Sequence, residues 1–181
     1  MSNMISLHTA ELPAAAPALA AGQRVLLSGP VYTARDAAHK RLISLIRAGT
    51  PLPFELRGAT IYYAGPTPTR PGGIVGSCGP TTSGRMDPYT PLLLEHGLAA
   101  MIGKGERNEA VRRAVAANGA LYFCAAGGAG ALAAQCVTAC AEIAFPALGC
   151  ESVKRLQLRE FPLVLAIDSK GNHIDRARSP A

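Results

Sequence analysis

The chain is poor in the features that would mark a membrane, disulfide-bonded or zinc protein. No stretch reaches the ~18 uninterrupted apolar residues of a bilayer span. The first residues lack a basic region followed by an apolar run, because Glu11, Pro13 and Pro17 interrupt it, so no export signal is expected. Five cysteines, at 78, 124, 136, 140 and 150, are an odd number without a CxxC pair. That argues against a disulfide framework and against a zinc site, and it reads as a reducing, cytoplasmic chain. Charge is also sparse, at 17% of residues. The net charge of +6 and the pI near 9.3 permit nucleic-acid binding, but Lys and Arg are scattered and no basic run is interleaved with aromatics. A cationic chain serves an anionic small substrate equally well. No period of ~20 to ~50 residues repeats.

What is present is apolar content of 49%, largely alanine and small aliphatics, with a mean hydropathy of +0.18. Such a composition suits an apolar face held against a partner. A chain of 181 residues supports one full core, so a single domain over residues 1–181 is expected, with 1–22 as an extended lead-in and 176–181 as a frayed tail. Residues 24–28 (RVLLS) read as a strand that Gly29-Pro30 breaks. Ala38, Leu42, Leu45 and Ile46 then fall at helical spacing before Gly49. Residues 60–64 read as a strand, Asp87-Pro88 as a helix start with Asp87 as N-cap, and 98–102 as a buried strand. A helix over 106–118 closes at Asn118-Gly119, 120–126 is a strand, 127–141 a small-residue helix, and 161–168 a last strand. Strands followed by helices, repeated about four times, indicate an α/β domain with a mainly parallel central sheet. Its polar segments lie at the carboxyl ends of strands, the edge where such sheets collect ligands.

Three glycine-rich segments compete for chemistry. Gly103-Lys104-Gly105 is no Walker A loop: Gly97 precedes Gly103 at the wrong spacing, and Gly105 replaces the Ser or Thr that would hold magnesium. Gly128-Ala129-Gly130-Ala131-Leu132-Ala133 fits the loose G-x-G-x-x-A dinucleotide pattern, though close helix packing explains it as well. The stretch 76–87, with Thr81, Thr82, Ser83 and Arg85 among glycines, is either a binding loop or a tight surface turn. Arg35, Thr81, Thr82, Arg85 and Lys104 could together line a cationic, hydroxyl-bearing pocket: Arg makes two-point contacts to a carboxylate, Lys a compact charge, and Thr a directional donor or acceptor. Together they suggest a small dicarboxylate. His39, one turn beyond Arg35, is a structural hydrogen-bonder or a catalyst. A lyase acting on a hydroxy acid also needs a base and a Lewis or general acid, and nothing here has metal-cluster spacing. The chain looks like half an active site.

Four motifs in order, Ser28-Gly29-Pro30-Val31-Tyr32-Thr33-Ala34-Arg35-Asp36-Ala37-Ala38-His39, Tyr63-Ala64-Gly65-Pro66, Gly79-Pro80-Thr81-Thr82-Ser83-Gly84-Arg85-Met86-Asp87 and Met101-Ile102-Gly103-Lys104-Gly105, resemble the β subunit, or equivalent C-terminal domain, of iron-sulfur-dependent class I fumarase and L(+)-tartrate dehydratase hydro-lyases. The resemblance spans nearly the whole chain. It implies a swivelling β/β/α domain, three-layered, working beside an α subunit that holds a 4Fe-4S cluster through three cysteines, in a heterotetramer of two α and two β. This chain would bind neither metal nor cofactor itself. Carried over by motif, Arg35, Arg85 and Lys104 would bind substrate carboxylates and Thr82 would assist. Thr81 would work with an acidic residue of the α subunit on the C–H proton, and Asp36 and His39 would support the site. Fumarate or malate is the first expected substrate and L-tartrate the next. Departures from the family pattern are Cys78, Glu106 and the Cys150-Glu151 pair. The alternatives are a stand-alone module binding a dicarboxylate or dinucleotide and, last, a nucleic-acid binder.

Overall fold

A computed structural model of the chain describes residues 4–125 and 130–174. Its elements in order are strand β1 (Ile5–His8), the short helix α1 (Leu12–Ala15), β2 (Arg24–Thr33), α2 (Asp36–Arg47), β3 (Thr60–Tyr62), α3 (Thr90–Glu95), β4 (Ala100–Gly103), α4 (Glu109–Asn118), β5 (Leu121–Cys124), α5 (Gly130–Gln135), β6 (Val137–Ala144) and β7 (Val153–Ile167). Among the described residues no helix is long and apolar enough to cross a membrane.

The organising feature is a ring of strands, not a flat sheet. β2, β3, β4 and β5 pair in parallel, with Tyr32 beside Ile61, Ile61 beside Met101 and Met101 beside Tyr122. β7 then runs antiparallel to β5 on one side and to β2 on the other, closing a five-stranded barrel. This corrects the expectation of a three-layer, mainly parallel sheet. β7 can do this because it is 15 residues long: Leu165 and Ile167 pair with β5, Arg155 to Val164 pair with β2, and the first half also carries β6. Its bend falls at Glu160, where φ is +49°, opposite a register shift between Leu27 and Gly29 in β2; the Glu160 N–H reaches Ser28 Oγ at 2.9 Å. A bulge at this point sharpens the twist that a small closed barrel demands.

Several expectations fail locally. Gly29-Pro30 does not end β2, which continues to Thr33. Those two residues lie between the end of pairing to β1 at Ser28 and the start of pairing to β3 at Tyr32, where a missing backbone donor costs least. The lead-in 1–22 is not simply extended, since Ile5–His8 pairs in parallel with β2 and helical turns follow over residues 9–18. The helix expected over 127–141 stops at Gln135 and gives way to β6, an edge strand on β7. The expected last strand begins eight residues earlier than position 161, at Val153. Residues 127–129 and the tail 176–181 lie outside the described residues.

Alternation along each strand divides the core in two. One set, including Val25, Leu27, Val31, Tyr62, Ile102, Phe123, Leu156 and Leu165, fills the barrel with Leu12 and Leu19 against it. The other set, Ile61, Tyr63, Met101 and Tyr122, faces outward and is covered by Leu42 of α2, Leu93 of α3 and Val111 and Val115 of α4. Burying the large side chains of this second set, at ~25 cal/mol per Å² of apolar surface, fixes the helices against the barrel and so aims the turns that precede them.

Candidate active-site rim

Three turns leave the carboxyl ends of the parallel strands on one rim. The first follows β2. Ala34 N–H donates to Tyr62 O at 3.1 Å, Arg35 takes extended backbone angles as the N-cap of α2, and Asp36 opens the helix. The second follows β3, where Thr81 N–H donates to Tyr63 O at 2.7 Å and Pro80 bridges Ala64. The third is Gly103-Lys104-Gly105: Thr82 bridges Lys104 in parallel, Ser83 N–H donates to Lys104 O at 2.9 Å, and Lys104 N–H donates back to Ser83 Oγ at 3.1 Å. The backbone thus draws Thr81, Thr82 and Lys104 together before any side chain acts. Gly103 must be glycine, since a Cβ there would collide with Ser83 Oγ and the Tyr63 ring.

The two arginines arrive through carboxylates. Arg85 pairs with Asp36, its Nε donating to Oδ1 at 3.1 Å and a terminal nitrogen lying 3.0 Å from Oδ2 in ion-pair contact, which ties the loop 76–87 to the start of α2. Arg35 lies 3.7 Å from Glu151 Oε1, and its side chain passes over Gly65. Among the described residues no carboxylate lies within ion-pair distance of Lys104. The Arg85 side chain is 51% exposed and Thr82 is exposed, so the rim opens to solvent on one side. A cavity of about 240 Å³ elsewhere, lined by Glu106, Arg112, Tyr122, Cys124 and His173, does not include Arg35, Arg85 or Lys104.

His39 is placed beneath this rim and not on it. Its ring is fully buried between Tyr63 and Tyr89, with Nδ1 2.8 Å from Arg35 O. A carbonyl partner puts the proton on Nδ1. Burial pushes its pKa down to about 4, with Arg107 adding to the effect, so it is neutral near pH 7. The buried ring supports the backbone at Arg35, as a structural hydrogen-bonder does. Cys78 is also buried, and burial lifts its thiol to about 12, leaving it an inert packing residue whose carbonyl accepts from Tyr62 at 2.6 Å. Among the described residues no three His, Cys, Asp or Glu side chains gather as a metal-holding group. Gly128 of the dinucleotide pattern lies outside the described residues. Gly130 packs its backbone against Gly79, and Cys78 N–H donates to Gly130 O at 3.0 Å.

Sequence reasoning missed the group that joins the segments following β3 and β4. Arg107 falls within the helix expected over 106–118, but it precedes α4 and is buried. Its Nε donates to Asp87 Oδ1 at 2.6 Å, one terminal nitrogen to Thr90 Oγ1 at 2.7 Å and the other to Tyr63 Oη at 3.3 Å. The guanidinium is held between the Tyr63 and Tyr122 rings, 5.3 and 5.0 Å from their centroids. Asp87 Oδ2 accepts from Asn108 N–H at 2.8 Å, so Asp87 is not the N-cap of α3, as expected, but anchors the approach to α4. Tyr122 Oη lies 2.8 Å from both Ser83 Oγ and Gly105 O. A lone Arg before an Asn cap carries no signal that distinguishes it from a surface charge; only the fold reveals it.

Fold and rim together define an α/β domain built on a small closed barrel that presents cations and hydroxyls at the carboxyl ends of its parallel strands, with one side of the cluster left open. The chain belongs to the fumarase C-terminus family, whose model matches residues 1–177. It is 41% identical over 151 residues to the anaerobic class I fumarate hydratase of Escherichia coli K12, covering 82% of this chain and 28% of that protein. It is 40% identical over 153 residues to fumarate hydratase 2 of Leishmania major, covering 83% of this chain and 27% of that protein. Against "Putative L(+)-tartrate dehydratase subunit beta" of Methanocaldococcus jannaschii it is 36% identical over 162 residues, covering 86% of this chain and 83% of that protein. The chain therefore spans little more than a quarter of the two fumarate hydratases and most of the tartrate dehydratase relative.

Proposed function

We propose that this chain is the β-type component of a hydro-lyase that adds or removes water on a C4 dicarboxylate, fumarate and malate first and L-tartrate next. It would act only beside an α-type partner, in an assembly of two α and two β. The observation that carries this reading is the convergence of Arg35, Thr81, Thr82, Arg85 and Lys104 on one rim through backbone bridges and ion pairs, with the cluster exposed on one side. Two carboxylates need spaced cations, and guanidinium and ammonium groups at the ends of separate turns supply them. In this reading Arg35, Arg85 and Lys104 hold the carboxylates and Thr82 assists.

In this reading Thr81 takes part in moving the proton next to a carboxylate. Its hydroxyl is too weak an acid to serve alone as a base near neutral pH, so it relays a proton to an acidic side chain of the partner. Asp36 fixes Arg85, and His39 holds the Arg35 carbonyl. An iron-sulfur cluster, held by the partner, would supply the Lewis acid for the departing hydroxide. A partner on the open side of the rim would exclude bulk water and leave room for the one molecule that is added or released.

The test is to co-produce the chain with an α-type partner under anaerobic conditions and assay diacids. The expected outcome is hydration by the pair and none by the isolated chain. Lys104→Met should lower kcat/KM by about tenfold to a hundredfold, the worth of one charge-assisted contact. Activity in the isolated chain, or full activity of the Lys104→Met pair, overturns the proposal.

A further inference from the structure

The Arg35 guanidinium is not positioned by its own turn. Arg35 is the N-cap of α2 yet its side chain makes no capping bond, and its Nε is buried without a hydrogen-bond partner among the described residues. The missing cap comes from a distant segment. Glu151 Oε2 accepts from Ala37 N–H at 3.0 Å, while Oε1 of the same carboxylate lies 3.7 Å from the Arg35 terminal nitrogen. One carboxylate therefore caps the helix and orients the arginine, a use of negative charge that a helix N-terminus favours.

The segment carrying Glu151 is itself fixed on two sides. The Cys150 carbonyl faces Gly65, where an added Cβ would sit 3.2 Å from it and 3.1 Å from Arg35 Cδ, so Arg35, Gly65 and residue 150 form one packed layer. Behind it, Thr33 Oγ1 donates to Ser152 O at 3.3 Å and accepts from Lys154 N–H at 3.0 Å, which ties the segment to the last residue of β2. The turn 145–152 between β6 and β7 thus reaches across the rim to the side chain at residue 35.

We infer that Glu151 is a positioning residue for the hydro-lyase reaction: it acts through Arg35, setting the angle at which that guanidinium meets a substrate carboxylate. This inference rests on the functional reading above. The role is selective between binding and chemistry. A misdirected Arg35 weakens the grip on one carboxylate and leaves the proton-transfer groups at Thr81 in place.

Glu151→Gln separates the two duties, because a Gln oxygen still accepts from Ala37 N–H while the charge facing Arg35 is gone. Assayed in the two-chain enzyme, it should raise KM for the diacid about five- to tenfold with kcat changed less than about threefold. In an Arg35→Ala background the same substitution should change nothing further, since the path runs through Arg35. Glu151→Asp, too short to reach both partners, should not restore KM. A second readout needs no partner and no activity: in the isolated chain, the Arg35 Nε–H resonance should gain mobility in Glu151→Gln. Unchanged mobility, or an equal KM effect with and without Arg35, overturns the inference. A wild-type pair that hydrates no diacid, with the Arg35 mobility still rising in Glu151→Gln, sinks the functional reading and leaves Glu151 as the residue that orients Arg35.

Discussion

Substituting Arg107 by Met tests whether the rim is assembled around a buried ion pair. The methionine fills much of the same volume but removes the charge opposite Asp87, whose side chain is 7% exposed. It leaves Asp87 with the Asn108 N–H as a remaining donor and strips Thr90 and Tyr63 hydroxyls of their guanidinium contacts. Breaking one side of a buried pair costs ~3–5 kcal/mol, a fifth or more of the ~5–15 kcal/mol that holds a typical domain. For a chain of this size that is a Tm lowered by roughly 6–20 °C. The assay is urea unfolding followed by circular dichroism, with the slope of the transition checked for constancy. Asp87→Asn alone should also be costly, because it leaves the guanidinium buried without its counter-charge. The double variant should be less destabilised than the sum of the singles, by at least ~2 kcal/mol. Were Asp87 merely a helix cap, its loss would cost only ~1 kcal/mol and Arg107→Met would leave it untouched. Strict additivity, or a cost under ~1 kcal/mol for Arg107→Met, refutes the reasoning.

Two further outcomes follow from the same layer of the structure. His39 holds a folded-state pKa of about 4 against 6.5 in the unfolded chain. As pH falls through that window the unfolded state takes up the proton first, so His39 contributes stability above about pH 6.5 and loses it towards pH 4, by about 3 kcal/mol in total. Unfolding free energies at pH 7 and pH 4.5 should differ accordingly, and His39→Gln should flatten the slope; an identical slope in the variant speaks against it. Gly103→Ala forces a methyl against Ser83 Oγ and the Tyr63 ring, so a loss of about 1–3 kcal/mol is expected in the same unfolding assay. A neutral Gly103→Ala would mean that the three turns are looser than their contacts indicate.

How far residues alone reveal this molecule depends on whether a signal is local. The spacing of Ala38, Leu42 and Ile46 and the stop at Gly49 locate α2, and Asn118-Gly119 locates the end of α4, where Gly119 takes φ +64°. The short apolar strands β3, β4 and β5 are equally visible, as is the turn after β7, where Asp168 accepts from Lys170 and Asn172. Barrel closure is not visible, because the first half of β7 carries Lys154, Arg155, Gln157 and Arg159 and reads as polar surface. Its pairing with β2, over a hundred residues away in sequence, is what closes the ring, while β6 pairs with its other edge. The same holds at the rim. Arg35, Thr81, Thr82, Arg85 and Lys104 stand out because glycines and hydroxyls surround them. Arg107, Tyr122 and Glu151 do not, since their meaning lies in long-range contacts to Asp87, Ser83 and Ala37.

The closure of the barrel also separates mechanics from chemistry. The chain enters the ring at Arg24 and leaves it at Ile167, and both points lie at the amino ends of the parallel strands, away from the rim that carries Arg35 and Lys104. There Asp168 accepts from Ala21 N–H at 3.2 Å, and Gly22 N–H donates to Leu165 O at 2.8 Å, so entrance and exit are stapled to each other. Burial opposes the Asp168 charge, but hydrogen bonds from Asn172, Lys170 and Ala21 outweigh it and keep its pKa low, so the staple survives mild acid. A load applied at the entrance and exit therefore falls first on that pole and its staple, and not on the rim. The barrel thereby holds the three turns in one fixed arrangement at the pole opposite its entrance and exit.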